Sequence, residues 1–124
     1  MEAKAVNEIL HDNWIYISGP ITGVEDYMDN FSAAEIRLTD KGCRVINPAK
    51  MGWILPGDAT WDDFMRIDFM LLKGCSTIYM LPNWEKSMGA RAEMAFAREH
   101  GIQVLYHEIE RRNDHGPDIF VYRS

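Results

Sequence analysis

Two carboxylates in this sequence stand where a carboxylate is costly. Wound as a helix at about 100° per residue, residues 61–73 put Asp62, Asp63, Arg66 and Lys73 on one side. Asp68 falls nearly opposite, among Trp61, Phe64, Met65, Leu71 and Leu72. A carboxylate in an apolar face is tolerated only when paired or hydrogen-bonded. Either Asp68 caps a neighbouring loop or pairs with an arginine, or it faces a polar pocket at the edge of the core. In the pocket it would accept hydrogen bonds from a ligand or hold a catalytic group. The second carboxylate is Glu93. On its helix, Met88, Ala92, Ala95 and Phe96 are expected to form the buried face, and Arg91 and Arg98 the solvent face. Glu93 lies on the flank of that face, on the side of Gly89, and by position alone reads as a surface or rim residue. Gly89 and Ala90 leave room for a ligand to approach the backbone.

A third feature is Ser18-Gly19-Pro20-Ile21-Thr22-Gly23, directly after an apolar run. Two glycines and two hydroxyls at the carboxyl end of a strand suit a backbone that wraps a polar ligand. An ordinary tight turn reads equally well. The segment is neither GxGxxG nor a P-loop, because no Gly-Lys-Ser/Thr element is present.

The elements that must position these groups follow from periodicity and punctuation. Residues 14–18 (WIYIS) predict a strand closed by Gly19-Pro20. Residues 31–41 have helical spacing and stop at Gly42; residues 43–46 predict a second strand, closed by Asn47-Pro48. A loop is expected through Gly57. Thr60 and Asp63 form a capping box for a helix from Trp61 to Lys73, ended by Gly74. Residues 76–81 predict a third strand, and Ser87 caps a helix running to His100. Residues 102–106 predict a fourth strand. IFVY at 119–122 can add an edge strand, after a turn at Asp114-His115-Gly116-Pro117. The alternation predicts one α/β domain, doubly wound in the flavodoxin or Rossmann manner. Four to five mostly parallel strands carry helices on both faces. Ligands of such sheets bind outside the carboxyl ends of the strands, here near loops 19–30, 47–60 and 82–87. The domain is expected over 13–106, with an N-terminal extension at 1–12 and a tail at 107–124.

Composition narrows the partners. The chain has 124 residues, enough for one core without staples. Its formal charge of −6 disfavours a polynucleotide partner. A small phosphorylated ligand is compatible, since backbone N–H groups can hold it locally. No apolar run approaches a membrane span, and MEAKAVNEILHDN lacks the features of a secretory signal. Cys43 and Cys75 have neither zinc nor redox spacing and read as buried free thiols, which suits a cytoplasmic setting. His11, His100, His107 and His115 are scattered, so no metal site is expected. Trp53, Trp61 and Trp84 lie in or beside the pocket loops. They either stack on a base or simply pack the loops.

Three segments together carry a resemblance: YISGPITG at 16–23, the helix bearing Asp68, and Ser87-Met88-Gly89-Ala90-Arg91-Ala92-Glu93. In order and spacing they resemble the nucleoside 2-deoxyribosyltransferases and the related 2′-deoxynucleoside 5′-phosphate N-hydrolases. The likeness covers roughly residues 14–106 and is nearest to the often phage-borne, DUF4406-like branch with a YISGPITG-type first strand. The resemblance implies attack at the anomeric carbon by Glu93, loss of the base, and a glycosyl-enzyme ester resolved by water or a second base. It also implies that Asp68 orients the sugar or assists proton transfer, and that Tyr16 positions the nucleophile. By itself Tyr16 reads as a core strand aromatic. Ser18 to Gly23 and Ser87, Met88 and Gly89 would bind substrate, with no cofactor. The transferases carry aspartate where this chain has Ser87. The N-hydrolases carry serine there, against the 5′-phosphate, which leans toward a nucleotide. Their first loop also has a serine and an arginine, where this chain has Pro20 and Thr22, so one bidentate phosphate contact is lost. Met94-Ala95 replaces the common Leu-Gly.

The expected function is therefore cleavage or exchange of the N-glycosidic bond of a (deoxy)nucleoside or nucleoside 5′-monophosphate. An NAD or ADP-ribose glycohydrolase would use the same chemistry. A non-catalytic nucleotide-binding module would use Glu93 and Asp68 only to contact the ribose. The resemblance also implies a homo-oligomer, a symmetric dimer being the commonest case. The apolar side of the second long helix is one candidate interface, unless it packs on the sheet.

Overall fold

The computed structural model describes residues 14–109 and 118–123, with side chains over 14–107. The expected N-terminal extension, the 114–117 turn, His11 and His115 lie outside the described residues. In chain order the elements are β1 (Trp14–Ser18), α1 (Tyr27–Asp40), β2 (Arg44–Ile46), a 3-10 turn (Pro48–Lys50), α2 (Met51–Ile54) and α3 (Trp61–Lys73). They continue with β3 (Thr77–Met80), a second 3-10 turn (Trp84–Lys86), α4 (Met88–Glu99), β4 (Gln103–Ile109) and β5 (Asp118–Arg123). The strands form one sheet in the order β2-β1-β3-β4-β5. The first four run parallel, and β5 lies antiparallel to β4. This is the doubly wound α/β architecture expected from the alternation of elements. Chain order reverses between β1 and β3, so the crevice of such a sheet opens where those two strands end.

Strand alternation sorts the core into two layers. Ile15, Ile17, Tyr79, Leu81 and Leu105 pack with Phe31, Ala34 and Leu38 of α1. Tyr16, Ile78, Met80 and Val104 pack on the other face with Leu72 of α3 and with Ala90, Met94 and Ala97 of α4. The two helices on that face are locked by Phe69 stacked on Phe96, with ring centroids 4.8 Å apart.

Local chemistry explains most boundaries. The Thr60 side chain accepts from the Asp63 N–H while Asp63 accepts from the Thr60 N–H, the reciprocal box that starts α3. Ser87 caps α4 by accepting the Ala90 N–H at 3.1 Å. Three boundaries depart from expectation. The first helix begins at Tyr27 instead of residue 31, because Tyr27 and Met28 reach the core after a turn closed by Val24 N–H to Ile21 O. The expected loop after Asn47 contains helix: Asn47 accepts from the Ala49 N–H and Pro48 sits in the first position, an N-cap and proline start. β4 runs on to Ile109 because β5 pairs along it, from Val104↔Arg123 to Ile109↔Asp118.

Candidate active site

A buried acidic cluster lies at the carboxyl end of β1, under α3 and α4. Tyr16 and Ser18 are two apart on β1, so both side chains leave the same face of the sheet. That face is covered by α3 and α4. The Tyr16 hydroxyl donates to Glu93 Oε2 at 2.6 Å, and the Ser18 hydroxyl donates to Glu93 Oε1 at 2.6 Å. Tyr16 and Ser18 are fully buried, Glu93 is 6% exposed and Asp68 8%. Hydrogen bonds of this length between a hydroxyl and a carboxyl are typical of charge-assisted pairs. Asp68 is near enough to Glu93 and Tyr16 to shift with them, and its Oδ1 has no partner among the described residues.

Burial sets the protonation of this cluster. Loss of water pushes the Glu93 carboxyl up to about 8; Ser18 and Tyr16 pull it down and the Asp68 charge pushes it up further. Asp68 is pushed up to about 6, again chiefly by burial, with hydrogen bonding to Glu93 and Tyr16 drawing it back. Burial and the two carboxylates hold the Tyr16 hydroxyl well above its usual range. These values belong to the pair jointly. Both shifts run upward, which favours a singly protonated pair near neutral pH.

A match to a family model spans residues 13–106, and the model describes a domain of unknown function, DUF4406. The chain belongs to the DUF4406 family. No curated protein and no solved structure matches the chain.

Within this DUF4406 domain, the expected site residues divide by depth. Tyr16, Ser18, Asp68 and Glu93 meet in the floor. Ser87 and Gly89 lie one turn nearer the N-terminus of α4. A Cβ on Gly89 would meet Met65 Sδ at 3.5 Å, Trp61 Nε1 at 3.8 Å and Ser87 Oγ at 3.9 Å. Trp61 and Met65 of α3 therefore lie against the first turn of α4 at Gly89, and Met65 is buried, as its place on the apolar side of the helix predicts. Ile21, Thr22 and Gly23 are exposed at the rim, Pro20 is half-buried, and Met88 is 63% exposed. Gly19 serves packing: a Cβ there would lie 2.8 Å from Leu81 Cβ. Gly23 has φ +79 in the 21–24 turn, which glycine adopts freely.

The buried face of α4 is rotated from the expected one. Ala90, Glu93, Met94 and Ala97 face inward, while Met88 and Ala95 are exposed and Ala92 and Phe96 are half-buried. Glu93 is at the centre of the buried face, not on its rim. Asp68 shares its inward face with Met65 and Leu72, as expected. It neither caps a loop nor pairs with an arginine among the described residues. Of the tryptophans expected near the pocket loops, Trp53 is exposed, Trp61 is half-exposed beside Gly89, and Trp84 packs on Tyr106. No group of three or more His, Cys, Asp or Glu side chains positioned for a metal occurs among the described residues. Among them too, no helix is long and apolar enough to cross a membrane. Cys43 and Cys75 are buried and free.

Proposed function

We propose that this protein cleaves or exchanges the N-glycosidic bond of a (deoxy)nucleoside or nucleoside 5′-monophosphate, with Glu93 as the nucleophile. The observation that carries the reading is the buried carboxyl pair, with Tyr16 and Ser18 on Glu93 and one Asp68 oxygen unpartnered. The likeness of the three sequence segments to the deoxyribosyltransferases supports it.

The pair's single proton gives the step its balance. The step runs from the less populated tautomer, since Glu93 is pushed up further than Asp68: once the proton has passed to Asp68, the Glu93 carboxylate attacks the anomeric carbon and an ester C–O bond forms. The C–N bond breaks, its electron pair goes to the base nitrogen, and Asp68 supplies the proton. In the second half the Asp68 carboxylate takes a proton from water, or from an incoming base, which displaces Glu93 from the sugar. Burial of both carboxyls keeps bulk water from the first half, where a free carboxylate would otherwise be solvated. The exposed rim at Pro20 to Gly23 and the α4 N-terminus at Ser87 to Gly89 belong to the same proposal as the substrate-binding edge. A homo-oligomer and a cytoplasmic setting are part of the proposal as well, the former checked by sedimentation.

The decisive assay is chromatographic detection of free base. The protein is incubated with nucleosides, nucleoside 5′-monophosphates and NAD, with Glu93→Gln as control. Base released by wild type alone is the expected result, and the productive substrate names the class. Ligand-induced thermal shifts with no base from any candidate would overturn the enzymatic reading in favour of a nucleotide-binding module.

A further inference from the structure

We propose that Ser18 is a positioning residue: its hydroxyl holds Glu93 Oε1 while Tyr16 holds Oε2, so that the carboxyl plane is fixed against β1. The inference rests on the reading of Glu93 as the nucleophile and deepens it. Ser18 opens the segment Ser18–Gly23, whose hydroxyls and glycines suit a ligand. The segment splits in the fold. Thr22 is exposed at the rim, whereas Ser18 is fully buried with its hydroxyl on Glu93.

The geometry favours positioning for three reasons. A carboxyl held through one oxygen can swing about that contact. Held through both, it keeps one orientation, and a reacting group held in place gains rate by orientation alone. The anchor is itself rigid: the Leu81 N–H donates to the Ser18 carbonyl at 2.8 Å, and the missing side chain of Gly19 lets Leu81 close over the strand end. Finally, a hydroxyl rotates between donor and acceptor, so Ser18 stays bonded to Glu93 whether or not Glu93 carries the proton. The groups facing Glu93 are Tyr16 and Ser18 from β1 and Asp68 from α3. Ser18 and Tyr16 are both neutral donors, so removing the Ser18 hydroxyl leaves the charge of the cluster unchanged.

The test begins with a readout independent of turnover. In the full chain carrying ¹³C-labelled glutamate, the Glu93 carboxyl signal is assigned by its loss in Glu93→Gln and titrated. Ser18→Ala is expected to raise its midpoint by about one pH unit, the amount by which a hydrogen bond to the carboxylate exceeds one to the neutral carboxyl. Ser18→Thr, which keeps the hydroxyl, is expected to restore it. A folded Ser18→Ala that titrates like wild type overturns the proposal. If Ser18→Ala does not fold, Ser18→Cys, close in volume and a weaker donor, is read the same way. In the base-release assay, Ser18→Ala is expected to lower kcat by about 10- to 100-fold with KM unchanged. A raised KM at unchanged kcat would put Ser18 on the substrate and overturn the positioning role. Should no substrate release base, the nucleophile reading fails, while the titration still decides whether Ser18 holds the carboxyl.

Discussion

The two faces of the sheet bury polar groups in opposite ways. On the α1 face, His107 Nδ1 lies 2.6 Å from the Tyr79 hydroxyl and 2.9 Å from an Arg37 guanidinium nitrogen, within a layer of Ile15, Ile17, Phe31 and Leu38. Those groups differ in chemistry and complement one another. On the α3 and α4 face two like groups, Asp68 and Glu93, are pressed together, both pushed above the carboxylate range, with one oxygen unpartnered. Complementary groups stabilise a core at little cost, whereas a buried pair of acids costs stability. The contrast teaches where to look for chemistry: in the layer that gives up stability to keep a reactive arrangement.

The comparison breaks most decisively at Glu93. Glu93→Gln is expected to remove base release by about 10,000-fold, the scale seen when a catalytic group of this kind is deleted, with thermal stability equal or higher. On the opposite face, Phe31→Ala should lower stability by about 3–5 kcal/mol, measured by denaturant unfolding. Turnover per folded molecule should stay at the wild-type level. A parallel loss of turnover would mean that the two layers are not separable.

Asp68→Asn sharpens the comparison. Wild-type kcat/KM is expected to be bell-shaped in pH, with flanks set by the pair near about 6 and about 8. Asparagine removes the acid, so turnover should fall by about 100- to 1,000-fold and the alkaline flank should vanish. Stability should rise, because a buried acid is gone. The smallest effect is on stability against pH. Both carboxyls are raised in the folded state, while the unfolded chain ionises near pH 4. Their contribution is present below that range and is lost as pH rises through about 6 and about 8. Melting temperature should therefore decline from mildly acidic to mildly alkaline pH, and Asp68→Asn should flatten the decline. An equal slope in the variant would show that other groups set it.

The order of strands and helices, the capping of α3 by Thr60 and Asp63, the capping of α4 by Ser87 and the inward placement of Asp68 were readable from the chain. Each rests on local backbone chemistry or on a helical stripe of strongly apolar residues. The orientation of α4 was not. Its first three turns hold Ala90, Ala92, Ala95 and Ala97, and alanine is small enough to sit on either side of a helix. The apolar pattern is therefore nearly flat, and packing against Tyr16, Met80 and Phe69 decides the rotation. The helical start at Asn47-Pro48 was visible as a cap, but the same dipeptide also closes a strand. Strand alternation puts residues two apart, such as Tyr16 and Ser18, on one face, but nothing in the sequence says which face α4 covers. The hydrogen bonds from those hydroxyls to Glu93 span 77 and 75 residues. By itself, then, the sequence determined the elements and the residue types available for chemistry. The tertiary structure alone decided that Asp68 and Glu93 are buried in one cluster and pushed above the carboxylate range, because only the close packing of α3, α4 and β1 excludes water from both acids at once.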